Sequence, residues 1–351
     1  MENHVTLKDI ARETGFSVMT VSKVLNDIGT NHASESNREL ILRVARRLNY
    51  QPNLNARRLV TRRNDVIGLL IDSEAPSFNN EVMILLEKMA LSAGKRIQIG
   101  MSHDSFDSLA GYINDFRGNG IRDVVCLAHN YPDFGFKILP LLEPFEHVVF
   151  LEKPMIPTSF PVVESYHRAN FRELTASMLA KGYRRIISIR NNYQDNSFFE
   201  ARQGMREAYE QAGVPFEECF WLTMGHDGDR SFEQASESLA LTLPHKPDVL
   251  VLSNDAAAMR AIHLLNERGI CIPRDIAVFS ASLSKFAEFT SPSLSGIDYN
   301  SSILANCLFS KLFGKTPDIE AGAAVTGNDG ELFVPARIIW RESCPCGSHL
   351  S

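Results

Sequence analysis

The sequence has no apolar run approaching the roughly 18 residues that a membrane-crossing helix needs, and its first residues, MENHVTLKDIARE, hold no apolar stretch of export-signal length. Both absences predict a chain that works in the cytoplasm, with no membrane partner. Cysteine is scattered: Cys126, Cys219, Cys271 and Cys307 stand far apart and only Cys344 and Cys346 are close, which fits reduced thiols better than a framework of bridges. Two thiols make no complete metal site, so residues 344–351 read as a polar tail, and neither metal nor cofactor is expected. Signatures of the commoner catalytic chemistries are missing as well. Phe313-Gly314-Lys315-Thr316 resembles a phosphate loop, but Phe309 occupies the place of its first glycine, and Gly118-Asn119-Gly120 lacks the third glycine of a dinucleotide turn. No metal-protease helix or nucleophile elbow is present, and His226-Asp227-Gly228-Asp229 is accounted for by a turn. These gaps predict a protein that is not an enzyme.

What is present divides unevenly. The chain has 351 residues, too many for one ordinary domain, and 44% of them are hydrophobic, enough for more than one core. Residues 1–63 carry eleven Lys and Arg against six Asp and Glu, leaving 25 against 36 for the remainder. A basic module on an acidic body suggests a polyanion partner for the module.

That module reads as three short helices. Thr6 and Asp9 make a capping-box start to a helix whose inner face carries Leu7, Ile10 and Ala11, and Gly15 ends it. Ser17 caps a second helix with Val21, Val24 and Leu25 inward, so that Val18, Met19, Ser22 and Lys23 face out. A third, from Ser34 or Ser36, turns Leu40, Ile41, Val44, Ala45 and Leu48 to the same small core. Two helices joined by a tight turn fit a helix-turn-helix whose second helix enters the DNA major groove. Val18 and Met19 suit thymine methyls there, and Lys23 suits guanine or phosphate. A basic linker follows, QPNLNARRLVTRRND, whose Leu59 stands alone among arginines.

From Val66 the pattern changes to β-branched runs, VIGLLI, RIQIG, DVVCLA, HVVFLE, RRIISIR, DVLVLS and DIAVFS, alternating with amphipathic stretches at 81–93, 109–119, 170–181, 198–212, 231–243 and 256–268. Near-continuous apolar strands separated by helices predict parallel sheets covered on both faces. The rhythm restarts after the proline cluster near 153–163, which predicts two similar lobes with a cleft between them.

Several stretches together, VTLKDIARETGFSVMTVSKVLN, ASESNRELILRVARRLNYQPNLNARRL, GYRRIISI, ARQGMREAYEQAG, VLSNDAAAMRAIHLLNERGICIPRDIAVFSAS, SPSLSGID and RIIWRES, resemble the LacI/GalR family of bacterial transcriptional regulators over essentially the whole chain. The resemblance implies an all-α helix-turn-helix DNA-binding domain at 1–50, a hinge helix and linker at 51–64, and an α/β periplasmic-binding-protein-like, two-lobe effector domain at 65–343. Lobe 1 is expected at about 65–162 and 292–326, lobe 2 at about 163–291 and 327–343. It further implies a homodimer on double-stranded operator DNA with inverted half-sites, a repressor controlled by a small carbohydrate-like effector in the cleft, and a cytoplasmic protein that joins the nucleoid when bound to DNA. Thr6, Ser17, Val18, Met19, Thr20, Ser22, Lys23 and Asn26 are its candidate DNA contacts, with Asn55, Ala56, Arg57 and Leu59 in the hinge.

The same resemblance assigns Phe78, His167, Arg202, Arg230, Asp255 and Ser282 to the effector cleft, although several depart from the usual pattern. Ser282 stands where a sugar-binding aspartate is common, Tyr166-His167 replaces Asp-Asn, and Arg230 stands where an aromatic often stacks on the sugar. Lost carboxylates and gained cations favour an anionic effector such as a phosphorylated sugar or sugar acid, held by charge-assisted bonds. Phe78 is a candidate apolar wall, equally suited to an ordinary core. Two other readings stay open: a regulator answering to a partner protein, and a ligand-binding α/β protein with an incidental helical N-terminus. An apolar wedge unstacks a base step only in specifically bound, bent DNA. Leu59→Ala is therefore expected to weaken binding to a specific site more than about tenfold while leaving binding to random DNA nearly unchanged, as read by titration of both duplexes at one salt concentration.

Overall fold

Thr6 and Asp9 open the first helix as their spacing requires: the Thr6 backbone N–H and hydroxyl both donate to Asp9 Oδ2, at 2.9 and 2.7 Å. In the computed structural model, which describes residues 5–25, 34–50, 64–72, 77–102, 105–127, 135–191, 195–224, 237, 239–327 and 331–346, this helix is α1, Leu7–Thr14. Gly15 stops it at φ +73°, its N–H donating to Ala11 O at 2.9 Å. Helices α2 (Val18–Leu25) and α3 (Glu35–Arg47) complete a unit ending at Asn64. Its core is Ile10, Ala11, Val21, Ile41, Val44 and Ala45, ringed by Val5, Leu7, Phe16, Val24, Leu25, Leu48 and Tyr50. Burying each large aliphatic there stabilises the unit by about 1.5–3 kcal/mol. Leu40, expected inside, is exposed instead. It lies a residue before the buried Ile41, about 100° around α3 from the inward face.

The second unit starts at Asp65 and contains two sheets. Strands β1 (Val66–Ile71), β2 (Arg96–Met101), β3 (Asp123–Cys126), β4 (His147–Leu151), β5 (Val162–Ser165), β11 (Val325–Thr326) and β12 (Leu332–Val334) form one, in the order β11-β12-β5-β4-β3-β1-β2. Strands β6 (Ile186–Asn191), β7 (Trp221–Met224), β8 (Val249–Leu252), β9 (Ala277–Ser280), β10 (Ser295–Asp298) and β13 (Arg337–Ile339) form the other, in the order β13-β10-β9-β8-β6-β7. Pairing is parallel except for β11 on β12 and β13 on β10, and β1, β3, β8 and β9 are buried nearly throughout, as sheets covered on both faces must be. The helices are α4 (Ser77–Ser92), α5 (Phe106–Gly118), α6 (Gly135–Leu142), α7 (His167–Ala180), α8 (Asn196–Gln211), α9 (Asp255–Glu267) and α10 (Ser301–Leu312). Helices α6 and α10 escape the periodicity reading, and most of the helix expected at 231–243 lies outside the described residues.

The chain passes between the sheets at Ser165–His167, between β10 and α10, and between β12 and β13. Two expected lobe boundaries therefore move. Ser295–Asp298, assigned to lobe 1, pairs in the second sheet beside β9, and Leu332–Val334, assigned to lobe 2, pairs with β5 in the first. A third correction concerns the tail. Cys344 and Cys346 are buried, because Ser343 O accepts from Val278 N at 2.9 Å and Ser343 N donates to Ser293 O at 3.0 Å.

Helices α7 and α8 approach closely through Gly204. A Cβ there would lie 2.1 Å from Arg168 O and 3.0 Å from Arg172 N, both backbone atoms that cannot rotate away. Gly204→Ala is expected to destabilise the second unit by about 1–3 kcal/mol through overpacking. Urea unfolding should show a lower midpoint at an unchanged slope.

Candidate functional site

In the first unit, Ser17 Oγ accepts from Thr20 N at 3.1 Å and sits 2.8 Å from Thr20 Oγ1, fixing the start of α2. Val21 is fully buried, so the helix must turn its other face outward. Met19 is 69% exposed and Val18 41%, unusual for side chains of that size beside an available core, and Lys23 shares their helix. Thr6 is engaged by Asp9, and Ser22 lies on α2. Asn26, Asn55, Ala56, Arg57 and Leu59 lie outside the described residues.

In the second unit a pocket of about 230 Å³ opens at the first crossing between the sheets. Its lining comes from the ends of β4 and β5 (Glu152, Lys153, Glu164, Ser165), the start of α7 (Tyr166, His167, Arg168), the start of α8 (Asn196, Ser197, Glu200) and β12 (Glu331, Phe333). Glu152 holds the left-handed φ of +66°, a conformation that costs a non-glycine residue about 1–2 kcal/mol. That turn brings its carboxylate to Ser165 N, at 3.3 Å, and to His167 Nε2, at 3.0 Å. Burial disfavours a charged His167, but the Glu152 carboxylate outweighs it and raises the imidazole pKa. Tyr166 stacks on Phe333 with centroids 4.8 Å apart, and Lys153 Nζ lies 2.6 Å from Glu331 Oε1.

Of the six expected effector residues, the structure brings two together. His167 lies 5.6 Å from the ring of Tyr299, which stacks on Phe78 at 4.7 Å. Asp255, at the start of α9, accepts from Ala256 N and Ser284 N, and Ser282 is buried with its N–H on Ser280 Oγ at 3.3 Å; neither lines the pocket. Arg202 points elsewhere, pairing with Glu218 beside Arg206, while its neighbour Ala201 faces the core. Arg230 lies outside the described residues. Sequence reasoning missed Glu152, Glu164 and Arg190. No spacing signal marks the first two, and Arg190 reads as the polar end of a strand. Among the described residues, no three His, Cys, Asp or Glu side chains are placed to hold a metal.

Burial first, then the neighbouring Glu152 and Glu331, push the Glu164 carboxyl up to about 7. The folded chain thus holds this proton more tightly than the unfolded chain, where glutamate titrates near 4.3. Stability from this group is full below the unfolded value and is lost as the pH rises through about 7. Glu164→Gln removes that dependence. Its melting temperature is expected to match the parent near pH 4.5 and to exceed it progressively up to pH 8.

Comparison with known proteins adds two matching family descriptions: "Bacterial regulatory proteins, lacI family" over residues 6–53 and "Periplasmic binding protein-like domain" over 175–344. A curated relative, the HTH-type transcriptional repressor PurR of Yersinia pestis bv. Antiqua (strain Antiqua), is 27% identical over 323 residues, covering 88% of this chain and 90% of its own. Among solved structures, the Lac repressor dimer bound to operator and the anti-inducer ONPF superposes with TM-score 0.77 at 18% identity, over 98% of this chain and 100% of that one. A LacI-family regulator from Silicibacter pomeroyi gives 0.74 at 20% identity, over 97% and 99%. The complex of the regulator CelR with cellobiose gives 0.63 at 22%, over 97% and 100%.

Proposed function

The chain belongs to the LacI/GalR family of DNA-binding transcriptional repressors, and from that premise we propose that it binds a pseudo-palindromic operator as a homodimer, under control of a small polar effector held between its two sheets. The observation that carries the DNA half is α2, capped by Ser17, anchored by buried Val21, and presenting exposed Val18 and Met19 together with Lys23. Apolar and cationic groups on one short helix suit thymine methyls and guanine edges in a major groove. A twofold dimer presents two such helices, so the operator has inverted half-sites.

The effector half is carried by the pocket at the first crossing, where α7 and α8 begin. Its lining mixes carboxylates, Lys153, Asn196 and Ser197 with the ring of Phe333, a polar set with one apolar wall that suits a hydroxyl-rich molecule of the carbohydrate class. A ligand there touches residues from both sides of the crossing. It can favour one arrangement of the sheets over another, which is what coupling to a distant DNA site requires.

The test of the DNA half is selection of duplexes from a random pool by the full chain, followed by titration of the winner and a scrambled duplex. A selected site with inverted repeats, bound more than about 1,000-fold tighter than the scramble, is expected. Met19→Ala should reduce that preference roughly 10- to 100-fold by removing a base contact, whereas Lys23→Ala should weaken binding and flatten its salt dependence if the amine reaches phosphate. Equal affinity for every duplex would refute the repressor reading.

A further inference from the structure

Arg190 is the penultimate residue of strand β6, and its guanidinium lies over the ring of Phe171 in α7 at 5.3 Å. Its Nη1 is buried with no hydrogen-bond partner, and none of the ion pairs among the described residues includes it. Asp195 is near enough to be felt, but its Oδ1 is already occupied by Ser197 Oγ and Phe198 N, both at 2.7 Å, as the cap of α8. Glu152 is likewise committed to His167 and Ser165. A buried guanidinium nitrogen with no acceptor among the described residues is costly, and an acceptor supplied by a ligand relieves that cost.

The surroundings repeat the pattern. Asn170 Nδ2, on α7 beside Phe171, and Trp221 Nε1, whose ring meets Phe171 at 6.1 Å, are buried donors with no acceptor. Ser188, in register with Trp221 and on the same face of β6 as Arg190, has an unpartnered buried hydroxyl. His167 stands on α7 three residues before Asn170, its Nδ1 also unpartnered and its pKa raised. One guanidinium nitrogen over Phe171, one indole N–H on its ring neighbour and one amide N–H on the residue beside it are thus buried donors without acceptors among the described residues. Unfilled donors of this kind are complementary to an anion's oxygens, and a guanidinium beside them offers the bidentate geometry that carboxylate and phosphate take.

We propose that Arg190 is the effector-recognising cation of this protein, and that the effector carries a carboxylate or phosphate which pairs with it. This rests on the reading of the chain as an effector-controlled repressor, and it places the anion beyond the lining of the pocket described above, which includes His167 but not Arg190, and on a residue other than Arg202, which Glu218 engages. Ligand binding then supplies the acceptor that Nη1 lacks among the described residues, so stability and ligand affinity pull on the same side chain in opposite directions.

The experiment is a melting-temperature titration of the full chain with glucose 6-phosphate, gluconate, inorganic phosphate and neutral glucose at matched ionic strength, for the parent, Arg190→Met and Arg190→Lys. Without ligand, Arg190→Met is expected to melt at the same temperature as the parent or higher, because an apolar stem of similar length replaces an unpaired charge. With at least one phosphorylated or carboxylated probe the parent should gain roughly 3 °C at saturation, and the Met variant should bind it about 10- to 100-fold more weakly, with Lys between them. A carboxylate-only or phosphate-only response identifies which anion is taken. The proposal is overturned if glucose stabilises as well as its anionic forms do, if no anionic probe stabilises the parent more than glucose, or if Arg190→Met loses ligand-free stability as a structural residue would. Operator titration of the same variants separates the two ideas: failure of the parent to bind any operator sinks the repressor reading, while intact operator binding with no anion response sinks only the role of Arg190.

Discussion

The contact between His167 and Glu152, 3.0 Å apart where the chain first crosses between its sheets, is the interaction on which the rest of the second unit depends. Glu152 accepts a left-handed backbone to make it, and the same carboxylate receives Ser165 N, so β4, β5 and the first turn of α7 are fixed together. Burial and the N-terminal end of a helix both disfavour a charged imidazole at this position, and the nearby Glu152 carboxylate outweighs them to raise its pKa. Strain of this kind concentrates where structure serves function. Here it borders the pocket and the first crossing between the two sheets.

The other crossings are braced in the same region. Asn300, also left-handed at φ +52°, donates from Nδ2 to Pro335 O at 2.6 Å, tying the crossing after β10 to the one after β12. Tyr299, the residue before it, stacks on Phe78 and approaches His167. The first passage thus meets the second through the ring contact of His167 with Tyr299, and the second meets the third through the Asn300 hydrogen bond. A junction built of few discrete contacts favours a small number of arrangements over a continuum.

Much of this was legible beforehand, for identifiable reasons. The capping box, the Gly15 stop and the 3.6-residue spacing of Ile10, Val21, Ile41 and Val44 are local signals, and the first unit follows them apart from Leu40, which a single residue of helical rotation carries outside. The seven β-branched runs all became strands, whereas β5 (VVES), β7 (WLTM) and β10 (SGID), no shorter than β3, β8 or β9, lack a near-continuous apolar run. Arg202 was assigned by analogy, against its own periodicity: Ala201, Met205 and Ala208 form the inward stripe of α8, which leaves position 202 turned away. Arg190 was hidden for the opposite reason, since an arginine next to a strand's end looks like an exit to solvent, and only the packing of α7 over the sheet buries its Nη1. The buried Cys344 depends on backbone bonds to Ser293 and Val278, contacts across about 50 and 65 residues that no local pattern announces.

The central claim is that one ligand site and one DNA site share a single conformational equilibrium. Linkage makes the effect reciprocal: whatever factor the ligand applies to operator affinity, the operator applies to ligand affinity. The most direct measurement is therefore a pair of titrations on the full chain, operator with and without saturating anionic ligand, and ligand with and without operator. The account predicts one common factor, about 5- to 150-fold, in both directions. Operator affinity unchanged at saturating ligand would contradict it, leaving a DNA-binding protein and a ligand-binding protein that merely share a chain.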